Sequence, residues 1–252
     1  MAILVTGGSR GIGRAIALAF AVPGATVAIA ARTQAQLDET ARAIEQRGAT
    51  PLALAFDVTD EQAVGRAFEE IKRAGASTLD VLVNNAGVGG GLPVHKTDTA
   101  SWRRILETNV WGTFLVSRHA VPLMRDGGRI INMSSVLGRF GVSGYTAYCA
   151  SKHAVIGFTR ALALELVKRG VTVNAVCPGW VETDMSARGM QAGAAAMGVT
   201  VEEFRSHAIG AVPINRMIQP EEVANLVKFL ASPGAAAITG QTYNICGGQV
   251  MS

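Results

Sequence analysis

The chain has 252 residues, 49% of them hydrophobic and 17% charged, with 29 glycines and a net charge of +4. Without a basic tract or interleaved aromatics, that charge argues against nucleic acid as a partner. Three cysteines, Cys149, Cys177 and Cys246, lack metal-ligand spacing and point to a reducing cytoplasm rather than a disulfide framework.

Apolar runs read as strands at 3–6, 26–31, 51–56, 79–85, 129–134, 171–176 and 241–246. Helical patterns lie between them near 11–21, 34–47, 60–74, 99–124, 147–168 and 220–231. No basic leader precedes MAILVTGG. The most apolar stretch, AIALAFAVPGATVAIAA, is broken by Pro23–Gly24 into helix, turn and strand, so no membrane span is expected. Strict alternation with Val, Ile, Leu and Ala in the strands predicts an α/β fold: one domain, 1–252, with a doubly wound parallel sheet of about seven strands and helices on both faces. From Thr183 to Met217 a segment with Met185, Met190 and Met197 is too long for an ordinary connection. A substrate lid over about 183–217 is the expectation.

In open parallel sheets, ligands bind outside the carboxyl ends of the strands. Four unusual stretches fall there: TGGSRGIG, NNAG, SS and PGWVETD. The glycines at 7, 8, 11 and 13 would let backbone approach a pyrophosphate at a helix N-terminus. A tight turn is the plainer alternative. At the end of the second strand an acid would bind a ribose 2′-hydroxyl, but the chain reads IAARTQ, with Arg32 and no acid. Arg32 and Arg10 both stand near helix starts, where positive charge is disfavoured unless an anion compensates. A 2′-phosphate would supply that anion. Asp57 could accept from an adenine amine or cap the next helix, as Asp60 does, and NNAG could face a cofactor or form an Asx turn.

Tyr148 precedes Lys152 by four positions, one helical turn on the same face. A phenol near pKa 10 exchanges protons poorly at neutrality. A neighbouring ammonium favours phenolate and would make Tyr148 a usable general acid or base. Tyr145 has Cys149 four residues on and no such cation.

Taken together, TGGSRGIG, NNAG, Asn109 in ETNVWG, Ser135 in NMSS, Tyr148 with Lys152, PGWVETD and GQTYNICGG resemble the short-chain dehydrogenase/reductase family over essentially the whole chain. The resemblance implies a Rossmann-type fold and a tetrad. Tyr148 would protonate a carbonyl oxygen that Ser135 also bonds. Lys152 would bind the nicotinamide ribose and tune Tyr148, and Asn109 would hold a water linking Lys152 to solvent. Ser134 is an alternative to Ser135, which the thirteen-residue spacing to Tyr148 favours. The implied cofactor is NADPH/NADP+. Its phosphates would lie on Gly7, Ser9, Arg10, Gly11, Ile12, Gly13 and Arg32. Asp57 would meet its adenine, Lys152, Thr183 and the backbone after Pro178, with Gly179 and Val181, its nicotinamide end, and Val58, Asn85, Ala86, Gly87 and Tyr148 would also bind it. A homotetramer built on helices near 99–124 and 147–168 and on the last strand is the usual assembly.

Stretches such as SKHAVIGFTRALALEL and QPEEVA also look like polyketide ketoreductases and 3-oxoacyl carrier-protein reductases, although VGGG stands at 88–91 where the former carry Pro-Gly-Gly. Arg125, Arg129, Lys168 and Arg169 could form a carrier-docking patch, which Asp126 interrupts. Leu137, Phe140, Val142, Tyr145 and Met185, with Ser135, would line the substrate pocket. These apolar residues favour a bulky free ketone, reduced reversibly to a secondary alcohol. A 3-oxoacyl thioester or polyketide is the alternative substrate, and a non-catalytic NADP(H)-binding regulator is the alternative of another class. His95, His119, His153 and His207 are scattered and read as structural.

Overall fold

The structure, a computed structural model, describes residues 1–75 and 78–251. Seven parallel strands run in the order β3-β2-β1-β4-β5-β6-β7. They are β1 (Ala2–Thr6), β2 (Thr26–Ala31), β3 (Thr50–Ala55), β4 (Leu79–Asn84), β5 (Met124–Met133), β6 (Thr172–Pro178) and β7 (Thr242–Ile245). All seven predicted strands are present. β5 starts five residues before the predicted 129, pairing Leu79 with Met124 before a register shift.

Alternate strand residues feed two separate cores, as the period of two demands. Ile3, Val5, Val27, Ile29, Val81 and Val83 point to one face, covered by helices α1 (Gly11–Phe20), α2 (Gln34–Glu45) and α9 (Pro220–Leu230). Leu4, Ala28, Leu82 and Ile130 point to the other, under α3 (Glu61–Arg73), α5 (Gly112–Ala120) and α6 (Thr146–Leu166). Asp60 caps α3 by accepting from the Ala63 N–H at 3.0 Å, as its position predicted.

The helix predicted over 99–124 is composite. α4 (Thr99–Leu106) passes through a π turn at Glu107–Trp111 into α5, and a 3₁₀ turn closes it at Val121–Leu123. π turns are rare and gather at functional sites, and this one carries Asn109. The insertion is helical too. α7 (Asp184–Met197) and α8 (Val201–Gly210) each start with a reciprocal capping box, Thr183 with Ser186 and Thr200 with Glu203.

Strand order reverses between β1 and β4, and the crevice at their carboxyl ends is where α/β sheets take ligands. The Thr6 hydroxyl accepts the N–H groups of Asn85 and Ala86, both at 3.0 Å. The Asn85 amide donates to the carbonyls of Thr6 at 3.0 Å and Gly7 at 3.2 Å.

Candidate active site

The glycine loop follows β1 directly. Gly7 and Gly11 have φ of 63° and 53°, the left-handed region that glycine enters without strain. A β-carbon at Gly13 would stand 2.1 Å from the Gly7 carbonyl oxygen, so no side chain fits there. Neither α1 nor α2 has a side-chain cap or an acid in its first turn. Their leading N–H groups therefore face the crevice without a protein acceptor of that kind, an arrangement suited to phosphate.

A cleft of about 540 Å³ opens along this loop. The predicted residues Gly7, Ser9, Arg10, Gly11, Ile12, Gly13, Arg32, Asp57, Val58, Asn85, Ala86, Gly87 and Thr183 all line it. The glycine cradle, two open helix starts and two arginines fit a dinucleotide phosphate. Arg10 lies 3.4 Å from Asp184, and Arg32 lies 3.7 Å from Asp57. One oxygen of Asp57 accepts from the Thr59 N–H at 2.9 Å and its hydroxyl at 2.8 Å, so the Asx turn claims part of that carboxylate.

Pro178, Gly179 and Val181 do not line the cleft. Pro178 is the last paired residue of β6, opposite Ile245. Gly179 packs on Cys246, whose Cβ would meet an added β-carbon at 3.0 Å. Val181 is buried and bridged to Ile218. Tyr148 and Lys152 also lie outside its lining, deeper along the sheet edge. Sequence reasoning missed Arg14, Gln36, Glu39, Glu182, Asp184 and Arg188, which do line it. Asp184 and Arg188 belong to the insertion, which carried no helical reading, and Glu182 immediately precedes it; Gln36, bonded to the Ser9 hydroxyl at 3.3 Å, had no motif of its own.

Beside the cleft, β5 and α6 bring Ser135, Tyr148 and Lys152 together. Ser134 and Ser135 are resolved by what they face. The Ser134 hydroxyl donates to the Lys152 carbonyl at 2.9 Å and ties β5 to α6. Ser135, 8% exposed, faces the Tyr148 phenol and favours its ionised form. The Lys152 ammonium donates to the Met133 carbonyl at 2.9 Å and lies 5.7 Å from the Tyr148 ring centroid.

Burial governs both titrations. It pushes the phenol of Tyr148 up to about 12, offset in part by Ser135, and lowers the Lys152 ammonium to about 8. The expectation that Lys152 holds Tyr148 below its ordinary value is therefore not met by the protein alone. Loss of water from the phenolate outweighs the Ser135 hydrogen bond that favours it.

Asn109, 1% exposed, is also committed differently from expectation. Its carboxamide accepts the Val88 N–H at 2.8 Å and donates to the Val88 carbonyl at 3.0 Å and the Ser151 hydroxyl at 2.9 Å. The side chain braces the 88 segment against α6, and both its N–H groups are used. It still approaches Lys152: a β-carbon at Gly87 would stand 3.2 Å from Asn109 Oδ1 and 3.5 Å from Lys152 Nζ.

Of the predicted substrate residues, Met185 lines the cleft and shares the space beside Gly89 with the Tyr148 ring. A β-carbon at Gly89 would lie 3.8 Å from Met185 Sδ and 3.9 Å from Tyr148 Cε2. Tyr145 rests on the Gly91 backbone, leaving 2.9 Å for a β-carbon. Leu137, Phe140 and Val142 follow Ser135 on the path to α6, and Val142 is 37% exposed; none of the three lines the cleft.

The basic patch does not flank the site. Arg125, Arg129, Lys168 and Arg169 gather where β5 starts and α6 ends, on the opposite edge of the sheet. Arg125 is paired with Asp80 at 2.6 Å and Arg169 with Asp126 at 3.0 Å. Among the described residues no group of His, Cys, Asp and Glu could hold a metal ion, and no helix is long and apolar enough to cross a membrane.

The family model described as Enoyl-(Acyl carrier protein) reductase matches residues 7–249. A ketoacyl reductase named for the monensin polyketide synthase in Streptomyces virginiae is 42% identical over 250 residues, covering 97% of this chain and 95% of that protein. The 3-oxoacyl-(acyl-carrier-protein) reductase of Aquifex aeolicus is 39% identical over 248 residues, covering 97% and 95%. A crystal structure of a variant of actinorhodin polyketide ketoreductase with NADPH superimposes with a TM-score of 0.92 at 39% identity, covering 98% of this chain and 96% of that one. With its fold, its strand-end site and these relatives in agreement, the chain belongs to the short-chain dehydrogenase/reductase family.

Proposed function

We propose that this oxidoreductase is an NADPH-dependent ketoreductase that converts the ketone of a 3-oxoacyl thioester into a secondary alcohol. The observation that carries the reading is the Ser135–Tyr148–Lys152 group beside a cleft whose mouth holds Arg10 and Arg32. When bound, NADPH supplies the hydride. Tyr148, protonated at neutral pH because burial holds its phenol near 12, gives its proton to the carbonyl oxygen as that oxygen gains charge. Ser135 hydrogen-bonds the same oxygen and sets its distance from the phenol. Lys152 contributes a positive charge under the ring, and Asn109 keeps the 88 segment in place behind it.

The thioester reading draws on the names of the relatives, which are reductases of ketoacyl chains. A bulky free ketone is the second reading, and one observation favours it: the basic patch of Arg125, Arg129, Lys168 and Arg169 lies where β5 starts and α6 ends, away from the site. Tyr145 and Met185 supply apolar surface that needs no carrier. A regulator that merely binds the dinucleotide would not require the buried phenol and ammonium to be juxtaposed. We also place the protein in the cytoplasm and infer a homotetramer. The π turn, α5 and α6 expose apolar side chains, Trp111 at 42%, Phe114 at 37% and Leu164 at 79%, which a partner subunit would cover.

Initial rates with NADPH and NADH across free ketones and 3-oxoacyl thioesters, with and without a carrier, test these readings. Preference for NADPH with carrier-borne or simple thioesters supports the first reading. Turnover restricted to free ketones replaces it with the second, and a preference for NADH removes the 2′-phosphate argument.

A further inference from the structure

We propose that Asp184 is a cofactor-specificity residue. Its carboxylate, on the first turn of α7, competes with the ribose 2′-phosphate for the Arg10 guanidinium and so limits how strongly the protein prefers NADP(H). The proposal rests on the NADPH reading above.

Arg10 occupies the N-cap position of α1, inside the glycine loop, where a cation is unfavourable without an anion nearby. Asp184 supplies one at 3.4 Å, and among the described residues it is the only hydrogen-bonding side chain on Arg10. The two meet because α7 starts on the glycine loop: a β-carbon at Gly11 would stand 3.2 Å from Thr183 Cγ2. Both side chains line the cleft. A phosphate reaching Arg10 must take it from Asp184 or share it with a like charge.

The pair is built to be displaced. Its side chains are 51% and 68% exposed, and exposed pairs hold weakly. A phosphate monoester carries nearly twice the charge of a carboxylate and more acceptor oxygens, so it wins the guanidinium at a cost that Asp184 sets. Arg32 differs. Its partner Asp57 is tied to Thr59 by two hydrogen bonds, whereas Asp184 has no such tie among the described residues. Removing the charge at 184 therefore changes phosphate recognition without loosening the adenine side of the cleft. The α8 end of the insertion stays anchored by Arg205 on Glu182 at 2.9 Å.

Equilibrium titration calorimetry with NADP+ and NAD+ on the wild type, Asp184→Asn and Asp184→Glu tests this directly. Asp184→Asn is expected to bind NADP+ on the order of threefold to tenfold more tightly, with NAD+ changed less than twofold and the gain shrinking at high salt. Asp184→Glu should keep the wild-type ratio, and Arg10→Gln should erase the gain of Asp184→Asn in the double variant. An unchanged ratio in Asp184→Asn, an equal gain for both dinucleotides, or the same gain in Asp184→Glu each overturns the proposal. A wild type that shows no preference for NADP+ removes the NADPH reading and this inference with it. Preference in the wild type with no effect of Asp184→Asn removes the inference alone.

Discussion

Tyr148 and Lys152 are buried together, and burial drives them apart on the pH scale, the phenol up to about 12 and the ammonium down to about 8. Both neutral forms coexist only above pH 8, so the charge that Lys152 offers is present below that value and lost above it. The rate of carbonyl reduction should fall as pH rises through about 8; a kcat/KM profile flat to pH 10 would detach the ammonium from the chemistry. Stability carries the opposite sign for this lysine. Its ordinary value is 10.5, so between about 8 and 10.5 the unfolded chain binds more protons and stability rises with pH, by up to about 3 kcal/mol. Tyr148 acts the other way, its contribution fading from pH 10 to about 12 as the unfolded phenol ionises first. Urea unfolding of the wild type against Lys152→Met at pH 7 and pH 10 should show the wild type gaining on the variant. Tyr148→Phe should lower turnover at least about a hundredfold and leave dinucleotide affinity within about threefold, which calorimetry checks.

At the scale of elements, the glycine loop makes the sharpest demand. With 2.1 Å between a β-carbon at Gly13 and the Gly7 carbonyl oxygen, Gly13→Ala must push α1 away from β1. The expected result is at least a tenfold loss of dinucleotide affinity together with a lowered melting temperature, read by calorimetry and thermal unfolding. This demand was legible in TGGSRGIG, as were the seven strands, because buried parallel strands declare themselves as unbroken apolar runs. The helix over 99–124 was legible as helix but not as four pieces. Nothing local distinguishes the π turn around Asn109, which is held by Val88 and Ser151, residues distant in sequence. α7 and α8 were missed for another reason. Their apolar residues are sparse, and their capping boxes, Thr183 with Ser186 and Thr200 with Glu203, fall in a segment expected to be a substrate lid with no helix assigned to it. Charge partners follow the same rule: Arg10 and Arg32 could be singled out from position, but Asp184 as a partner required α7 to be placed on the glycine loop.

For the whole molecule, the exposed Trp111 and Phe114, ring centroids 5.2 Å apart, and Leu164 at 79% exposure bear on assembly. Light scattering should give the mass of a tetramer for the wild type, and the double substitution Trp111→Arg with Leu164→Lys should yield smaller species with unchanged far-ultraviolet circular dichroism. A monomeric wild type would leave these side chains without the cover inferred for them.

The lacing of Thr6 to Asn85 and Ala86, with Asn85 returning to Thr6 and Gly7, has a mechanical consequence. It stitches the first half of the sheet to the second at the floor of the crevice, so the two halves cannot part like the jaws of a hinge. The other wall of the cleft is held less tightly: α7 rests on Gly11 by a threonine methyl and an exposed ion pair. We infer a rigid bench with one movable cover, in which residues 183–217 rather than the sheet set the rate of cofactor entry and exit.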